Sequence, residues 1–320
     1  MEALENISEE HLRAHFCCES VDRVFGDPET TAFKRRSRLK QALWREQMHL
    51  PIGSQPMRVK NGEKSRSLGS RIDLEFAKKS GANFFNDAIR RAVFDRLAKP
   101  QPHQTLNEDR LFCDLLSSMP MCFNLFGSLQ MDMEKANRAV HAWWPGVPGR
   151  VSEVLFEWSP GRRLPGLYLE NRSAFDVAFK LELEDGTQGM LGVETKYHED
   201  CKPEEIPSDD RCKRYAEVTE RSGVISLESM KSILCTDLQQ IWLDHLLALS
   251  MLQDTSRQWT WASFAIVHPA KNPSYARSSE RYKSVLKDVA TFRVSTIESL
   301  LAADVLPEAV ASEFSRRYLW

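Results

Sequence analysis

The chain has 320 residues, 42% hydrophobic and 28% charged, with a formal net charge of −2 and a pI near 6.5. That length allows one large domain or two, and the apolar content allows a sizeable core. The near-neutral charge excludes a global basic surface for nucleic acid, so any phosphate-binding surface has to be local. No stretch approaches the length of a membrane span. The opening MEALENISEEH is acidic and lacks an apolar signal region, which predicts a cytoplasmic protein. The seven cysteines are odd in number and irregular in spacing. Reduced thiols explain them better than a zinc or iron–sulfur set, because His198, Cys201 and Cys212 lack a fourth ligand.

Ser8 to Phe25 reads as a first helix, with Ser8 as N-cap and Glu9 and Glu10 in its first turn. Thr30 to Met48 reads as a second and carries the basic run Lys34, Arg35, Arg36 and Arg38. Val59 to Arg71 is another basic stretch, rich in Gly and Ser, and reads as a loop. The two stretches are candidates to follow a phosphate backbone of nucleic acid; the alternative is a solvated helix face and a connector. Ile72 to Leu97 reads as helical, and the breaker PQPHQ at 100–104 marks a linker. The expected division is a helical N-terminal region, 1–104, with basic clusters, and a second region, 105–320. Asn107 to Gly127 and Met131 to Trp144 read as further helices, the latter ended by Pro145-Gly146 and Pro148-Gly149. No internal repeat or low-complexity tract is present.

Val151 to Trp158 alternates as a strand, with Val154, Phe156 and Trp158 on one face and Glu153, Leu155 and Glu157 on the other. Arg162, in the following SPGRRLPG turn, either touches phosphate or is simply exposed. Ala174 to His198 reads as two strands and a tight turn. Phe175, Val177, Phe179, Leu181 and Leu183 alternate with polar positions, as do Leu191, Val193, Thr195 and Tyr197. Glu184-Asp185-Gly186 suits a three-residue hairpin loop, with Gly186 in the left-handed position. Leu183 then pairs with Thr187, Phe179 with Leu191 and Val177 with Val193, which sets Asp176 directly opposite Glu194. A register one residue off turns an apolar set to the wrong face.

Residues directly opposite have Cβ atoms about 5 Å apart, and like charges there repel. One carboxyl must rise in pKa, or a cation must sit between them. Hard oxygen ligands suit Mg²⁺, which takes one or two carboxylates together with waters and phosphate oxygens. Lys196 lies two residues after Glu194, on the same face, where an ammonium steadies developing negative charge. Glu157 either reaches that face and assists a second metal ion, or meets solvent.

Beyond the hairpin, Glu199 to Asp210 reads as an acidic loop near the mouth of the site. Arg211 to Ser222 and a long Ser226 to Gln253 segment read as helices, with His245 on the apolar stripe of the second as a core histidine. Trp259 to His268 is a near-continuous apolar run, which suits a buried strand paired in parallel after a helical crossover. Asn272 to Leu286 reads as a helix, Thr291 to Ile297 as an edge strand, and Glu298 to Tyr318 as a helical close.

Asp176 followed by Glu194-Thr195-Lys196 on the next strand resembles the motif of the PD-(D/E)xK nuclease superfamily. The wording upstream, Phe156 to Arg162, is similar to bacterial proteins labelled restriction endonucleases. The resemblance covers about Val151 to Pro269, and Phe175 stands where the name-giving proline would be. It implies an α/β fold, a mixed central β-sheet flanked by helices with an αβββαβ core, here carrying a helical N-terminal extension. It implies a metal-dependent phosphodiester hydrolase with Asp176 and Glu194 as ligands of Mg²⁺, Mn²⁺ being able to substitute. It further implies the Thr195 carbonyl as a ligand, Lys196 beside the attacking water, and a glutamine from the helix behind the hairpin. Gln240 is the candidate and Gln239 the runner-up; Leu243 and Asp244 stand where one version of that motif has a tyrosine. DNA is the expected substrate, and a homodimer is expected for double-strand cleavage. The competing reading is a catalytically silent nucleic-acid-binding or assembly protein on the same fold.

Overall fold

The computed structural model describes residues 7–17, 19–59, 62–104, 106–162, 164–255 and 258–320. The chain begins with α1 (Glu9–Ala14), capped by Ser8, and α2 (Pro28–Gln47), started by an Asp27 cap and a proline in its first turn. A two-stranded ribbon follows, β1 (Ile52–Val59) and β2 (Gly62–Ile72). Five helices come next: α3 (Leu74–Ser80), α4 (Asp87–Leu97), α5 (Glu108–Cys113), α6 (Ser118–Phe126) and α7 (Met133–Trp143). The sheet strands β3 (Arg150–Trp158), β4 (Phe175–Glu182) and β5 (Gln188–Thr195) then lead to α8 (Asp209–Ser222), α9 (Leu227–Ile233) and α10 (Gln239–Met251). The chain closes with β6 (Trp259–His268), α11 (Pro273–Val285), β7 (Phe292–Thr296), α12 (Ile297–Ala302) and α13 (Glu308–Tyr318).

One five-stranded sheet runs in the order β3-β4-β5-β6-β7. The first three strands form an antiparallel meander, and β6 and β7 join in parallel. Helices return the chain before each parallel strand, as parallel pairing requires. This is the expected mixed α/β sheet flanked by helices. Val177, Phe179, Leu191 and Val193 face one core, shared with Phe123 and Phe126 of α6 and Trp143 of α7. Ala178, Met190, Phe264 and Ile266 face a second core with Val218 of α8 and Trp242 and Leu246 of α10. Each fully buried Phe, Leu or Val contributes about 1.5–3 kcal/mol against exposure, so two packed faces hold the sheet rigid beneath whatever lies at its strand ends. Trp44, Ile72, Ala77 and Phe84, from the first hundred residues, belong to the first core. The buried guanidinium of Arg317 on α13 stacks on Trp44 at 4.2 Å and bonds Gln41 and Asn83, fastening the C-terminal helix to α2.

Several expected elements are divided or replaced. Ser8–Phe25 is helical only in α1 and in a 3₁₀ turn at Glu19–Asp22, because Phe16 takes φ +55° and its carbonyl accepts from the Gly69 amide. Of the basic stretch Val59 to Arg71, Val59 ends β1 and Gly62 to Arg71 lie in β2, strand rather than loop. Within it, Arg66 pairs with Gln55 and Ser67 with Ser54, while Lys60 and Asn61 lie outside the described residues. Ile72–Leu97 breaks into α3 and α4 at the left-handed cap Gly81 and restarts at the Asn86 cap. Asn107–Gly127 breaks at Asp114, with Ser117 capping α6 and Pro120 accommodated in its first turn. Ser226–Gln253 breaks at Leu234, where Cys235 takes φ +59° and the Gln239 side chain captures its amide. Glu298–Tyr318 divides at Ala303, and α13 restarts after Pro307.

Candidate active site at the open end of the β4–β5 hairpin

The hairpin turn has the expected geometry. Gly186 has φ +79° and its amide donates to the Leu183 carbonyl at 2.9 Å; the Leu183 amide donates to Thr187 at 3.0 Å. Asp185 Oδ1 accepts from the Thr187 amide and hydroxyl, locking the tip. From this turn the pairs run Leu181–Gly189, Phe179–Leu191 and Val177–Val193. Asp176 and Glu194 stand one step beyond the last pair.

At that step the ladder stops and side chains take over. Asp176 Oδ2 accepts from the Thr195 amide at 2.8 Å and the Thr195 hydroxyl at 2.7 Å. Lys196 Nζ donates to Glu194 Oε1 at 2.8 Å, and its backbone amide bonds the Val267 carbonyl of β6. Glu194 and Lys196 are each only 9% exposed, so their pairing is poorly screened by water. Burial, with repulsion from Glu194, pushes the Asp176 carboxyl from an ordinary 3.8 up to about 8, against the opposing pull of Lys196 and the Thr195 bonds. Burial likewise lifts Glu194 to about 7, with Asp244 and Glu157 adding to it and Lys196 opposing. Burial works against the Lys196 ammonium, yet Glu194, helped by Tyr275, Glu199 and Asp176, holds the amine well above its ordinary range. Lys196 Nζ also lies 5.8 Å from the centre of the Tyr275 ring.

A third acid converges here. Asp244 of α10 is raised to about 7, by burial first and then by the fields of Asp176 and Glu204, with Lys196 opposing. Sequence reasoning noted Asp244 only as the occupant of another residue's place. The available signal was its spacing: four residues after Gln240 puts both on one helix face. Gln240 lines a chamber of about 350 Å³ with Lys196, and its Oε1 accepts from the Tyr275 hydroxyl at 3.5 Å. Gln239 is committed elsewhere, bonding the Cys235 amide and the Glu205 carbonyl. The acidic loop after the hairpin borders the same chamber through Glu199, Asp200 and Glu204.

The other candidates separate. Glu157 is buried, takes φ +48°, and is ion-paired at 2.7 Å with Arg162, itself 5% exposed. Glu157 is therefore not a solvent-facing strand residue and Arg162 is not an exposed turn residue. The Glu157 field still reaches Glu194. Lys34 pairs with Asp200 at 2.7 Å on the wall of the chamber. Arg38 is buried in a two-point pair with Asp22 and bonds Ser70. Neither is on a solvated helix face, because the ribbon covers that side of α2. Arg35 and Arg36 are half-buried on α2, and Arg35 lines a separate surface hollow beside Phe25. His245 is a core histidine: Tyr282 and Thr291 hydroxyls lie 2.9 Å from its two ring nitrogens, and burial holds it near 3.

Asp176, Glu194 and Asp244 offer hard oxygen donors, and fully ionised they leave two negative charges after Lys196 is counted. A divalent cation matches that deficit, and all-oxygen donors suit Mg²⁺. Among the described residues no group of three or more His, Cys, Asp or Glu side chains stands assembled as a metal cage. Asp176 and Glu194, each holding one oxygen on a protein donor, keep the other for a ligand.

An acid on each arm of a hairpin at the end of a helix-flanked mixed sheet, with an amine two residues on, defines the class of restriction-endonuclease-like α/β proteins. The chain matches the family model of the PD-(D/E)XK nuclease superfamily over residues 28–320, and it belongs to that superfamily. No curated protein and no solved structure gives a significant match to the chain. Among the described residues, no helix is long and apolar enough to cross a membrane.

Proposed function

We propose that the protein is a Mg²⁺-dependent nuclease that hydrolyses DNA phosphodiester bonds within strands, in restriction, defence or repair. The observation that carries this reading is the meeting of Asp176, Glu194 and Lys196 at the open end of the hairpin, in a chain of the nuclease superfamily. The preference for DNA over RNA rests on the resemblance of the hairpin motif. Asp176 and Glu194 would hold a divalent cation, which when bound would polarise the scissile phosphate as a Lewis acid and lower the pKa of an attacking water. Lys196, kept protonated chiefly by Glu194, offsets the negative charge that builds on the phosphate oxygens as the bond breaks. Gln240 and Tyr275 present an amide and a hydroxyl to the same chamber and orient what enters it. Asp244 adds a third carboxylate from α10. Lys34 on the chamber wall is a further cation for the strand's backbone.

The test is cleavage of plasmid and linear DNA across a Mg²⁺ titration, wild type against Asp176→Ala and Lys196→Ala. Metal-dependent cutting is expected in the wild type, with each variant losing about a hundredfold or more in rate. Cutting that ignores both substitutions removes the reading.

A further inference from the structure

The β1–β2 ribbon takes no part in the chemistry above, yet it builds a cavity against α2. Arg45 of α2 bonds the Gly69 carbonyl and Arg38 bonds Ser70, so the ribbon is pinned to the helix. Between them lies a cavity of about 230 Å³. One ordered water needs only about 10–15 Å³ on this measure, so a hydrated phosphate fits. Its lining carries Lys34, Arg38, Arg66 and Arg71 against Asp22 and Asp114, a formal charge of +2. Counting Asp200, which pairs with Lys34 from the next chamber, the balance is still +1. In a protein of net charge −2 this is a local inversion of sign.

The donors are not all spent. Arg71 reaches Cys113 Sγ at 2.8 Å and Asp114 at a loose 3.8 Å, while its buried Nε has no hydrogen-bond partner among the described residues. A guanidinium fork of this kind suits phosphate oxygens better than an ammonium does. The cavity also adjoins the active-site chamber, because Lys34 and His198 line both. His198 follows Lys196 by two residues.

We propose that this cavity is a second phosphate subsite, holding a phosphate of the same strand whose scissile phosphate lies at Lys196. The proposal rests on the nuclease reading and names the part of the substrate that the ribbon grips. The shared chemistry is a phosphate group, whether a terminal phosphomonoester or an internal phosphodiester. It predicts that strand affinity depends on β2 arginines that touch none of the catalytic side chains.

The test measures binding of intact protein to fluorescent DNA strands by anisotropy in EDTA, where no cutting occurs. The strands carry a 5′-phosphate, a 3′-phosphate or hydroxyl ends, or are circular; the variants are Arg71→Gln, Arg66→Gln and, as a remote control, Lys180→Gln. Arg71→Gln is expected to weaken binding about tenfold and to reduce the salt slope by about one, with the control unchanged. Loss confined to phosphate-ended strands identifies a terminal phosphate; loss on the circle as well identifies an internal one. If Arg71→Gln does not fold, Arg66→Gln on the same lining carries the comparison. Unchanged affinity for every strand in the folded variants, or no binding by the wild type, overturns the subsite. Absence of Mg²⁺-dependent cutting would instead sink the nuclease reading and leave this binding result intact.

Discussion

Replacing Asp176 with Asn separates what the site costs the fold from what it does. Asn keeps the shape of the side chain and an oxygen to accept from the Thr195 amide and hydroxyl, so the local bonds survive. What disappears is a carboxyl whose pKa stands at about 8 in the fold against an ordinary 3.8. The folded value is raised, so the neutral acid is the form the fold favours. Its contribution is complete below pH 3.8 and is lost as pH rises through about 8. At 1.36 kcal/mol per pH unit, the gap between the two values is worth ~6 kcal/mol as an upper bound. An effective dielectric near 20 and the partial exposure of Asp176 bring this to ~2 kcal/mol.

Metal-free Asp176→Asn protein is therefore expected to be more stable than wild type at about pH 8.5, by ~2 kcal/mol or roughly 3–6 °C in Tm. The difference should shrink toward zero at about pH 4, where the wild-type acid is protonated. Mg²⁺ should narrow it at high pH too, because a cation that binds the native wild type stabilises it by mass action. Urea unfolding in EDTA at the two pH values, repeated with Mg²⁺, makes the comparison. A variant equal to or less stable than wild type at high pH would refute the argument that Asp176 is held against burial and like charge. The same variant should have lost cleavage, which makes the trade between stability and activity visible in one protein.

Asp244→Asn should raise the Mg²⁺ requirement or lower the cleavage rate by about 10–100-fold, as loss of a supporting carboxylate does, and a metal titration of the rate checks it. Gly192→Ala places a Cβ 2.4 Å from the Phe175 ring. It should cost ~1–3 kcal/mol and depress cleavage together, because Phe175 precedes Asp176, read by urea unfolding and rate. His245, held near 3, gives stability that is complete above about pH 6.5 and declines as pH falls toward 3. His245→Gln should therefore flatten the acid limb of the stability curve by up to ~1.4 kcal/mol per pH unit. Arg317→Ala should destabilise by ~3–5 kcal/mol, since it orphans Asn83 and Gln41 inside the core, and unfolding of the soluble variant measures it.

The hairpin was legible because two independent constraints agree. Apolar alternation picks the face, and a three-residue turn with Gly186 picks the register, so Asp176, Glu194 and Lys196 follow by counting. Asp244 was not legible in that way. An acid on an amphipathic helix reads as solvent-facing, and only the docking of α10 over β5 and β6 carries it inward. The ribbon was missed for the opposite reason. Its second strand is mostly polar and small residues with Leu68 and Ile72 set apart, so neither face announces itself by alternation, and the Asn-Gly dipeptide in the sequence was the usable clue. Once formed, that ribbon buries one flank of α2. Lys34 and Arg38, which on an isolated helix would be solvated, become buried ion pairs with Asp200 and Asp22.

The alternation itself fails where the chemistry begins, and the failure has a structural cause. Phe156 and Val177 face the first core, but their partners two residues away, Trp158 and Phe175, face the second. Glu157 makes the switch in β3 by taking a left-handed φ, held there by Arg162 and by Arg96 on the Phe156 and Glu157 carbonyls. In β4 the switch is made room for by Gly192, over which the Phe175 ring lies, stacked between Trp158 and Phe264. Asp176 sits at the crossing point. Its carboxylate lies against the Thr195 amide, within the fields of Glu194 and Lys196. The aromatic packing on the second face thus fixes the residue next to Asp176, which is why a methyl group at Gly192, pressed against the Phe175 ring, should be felt in the rate.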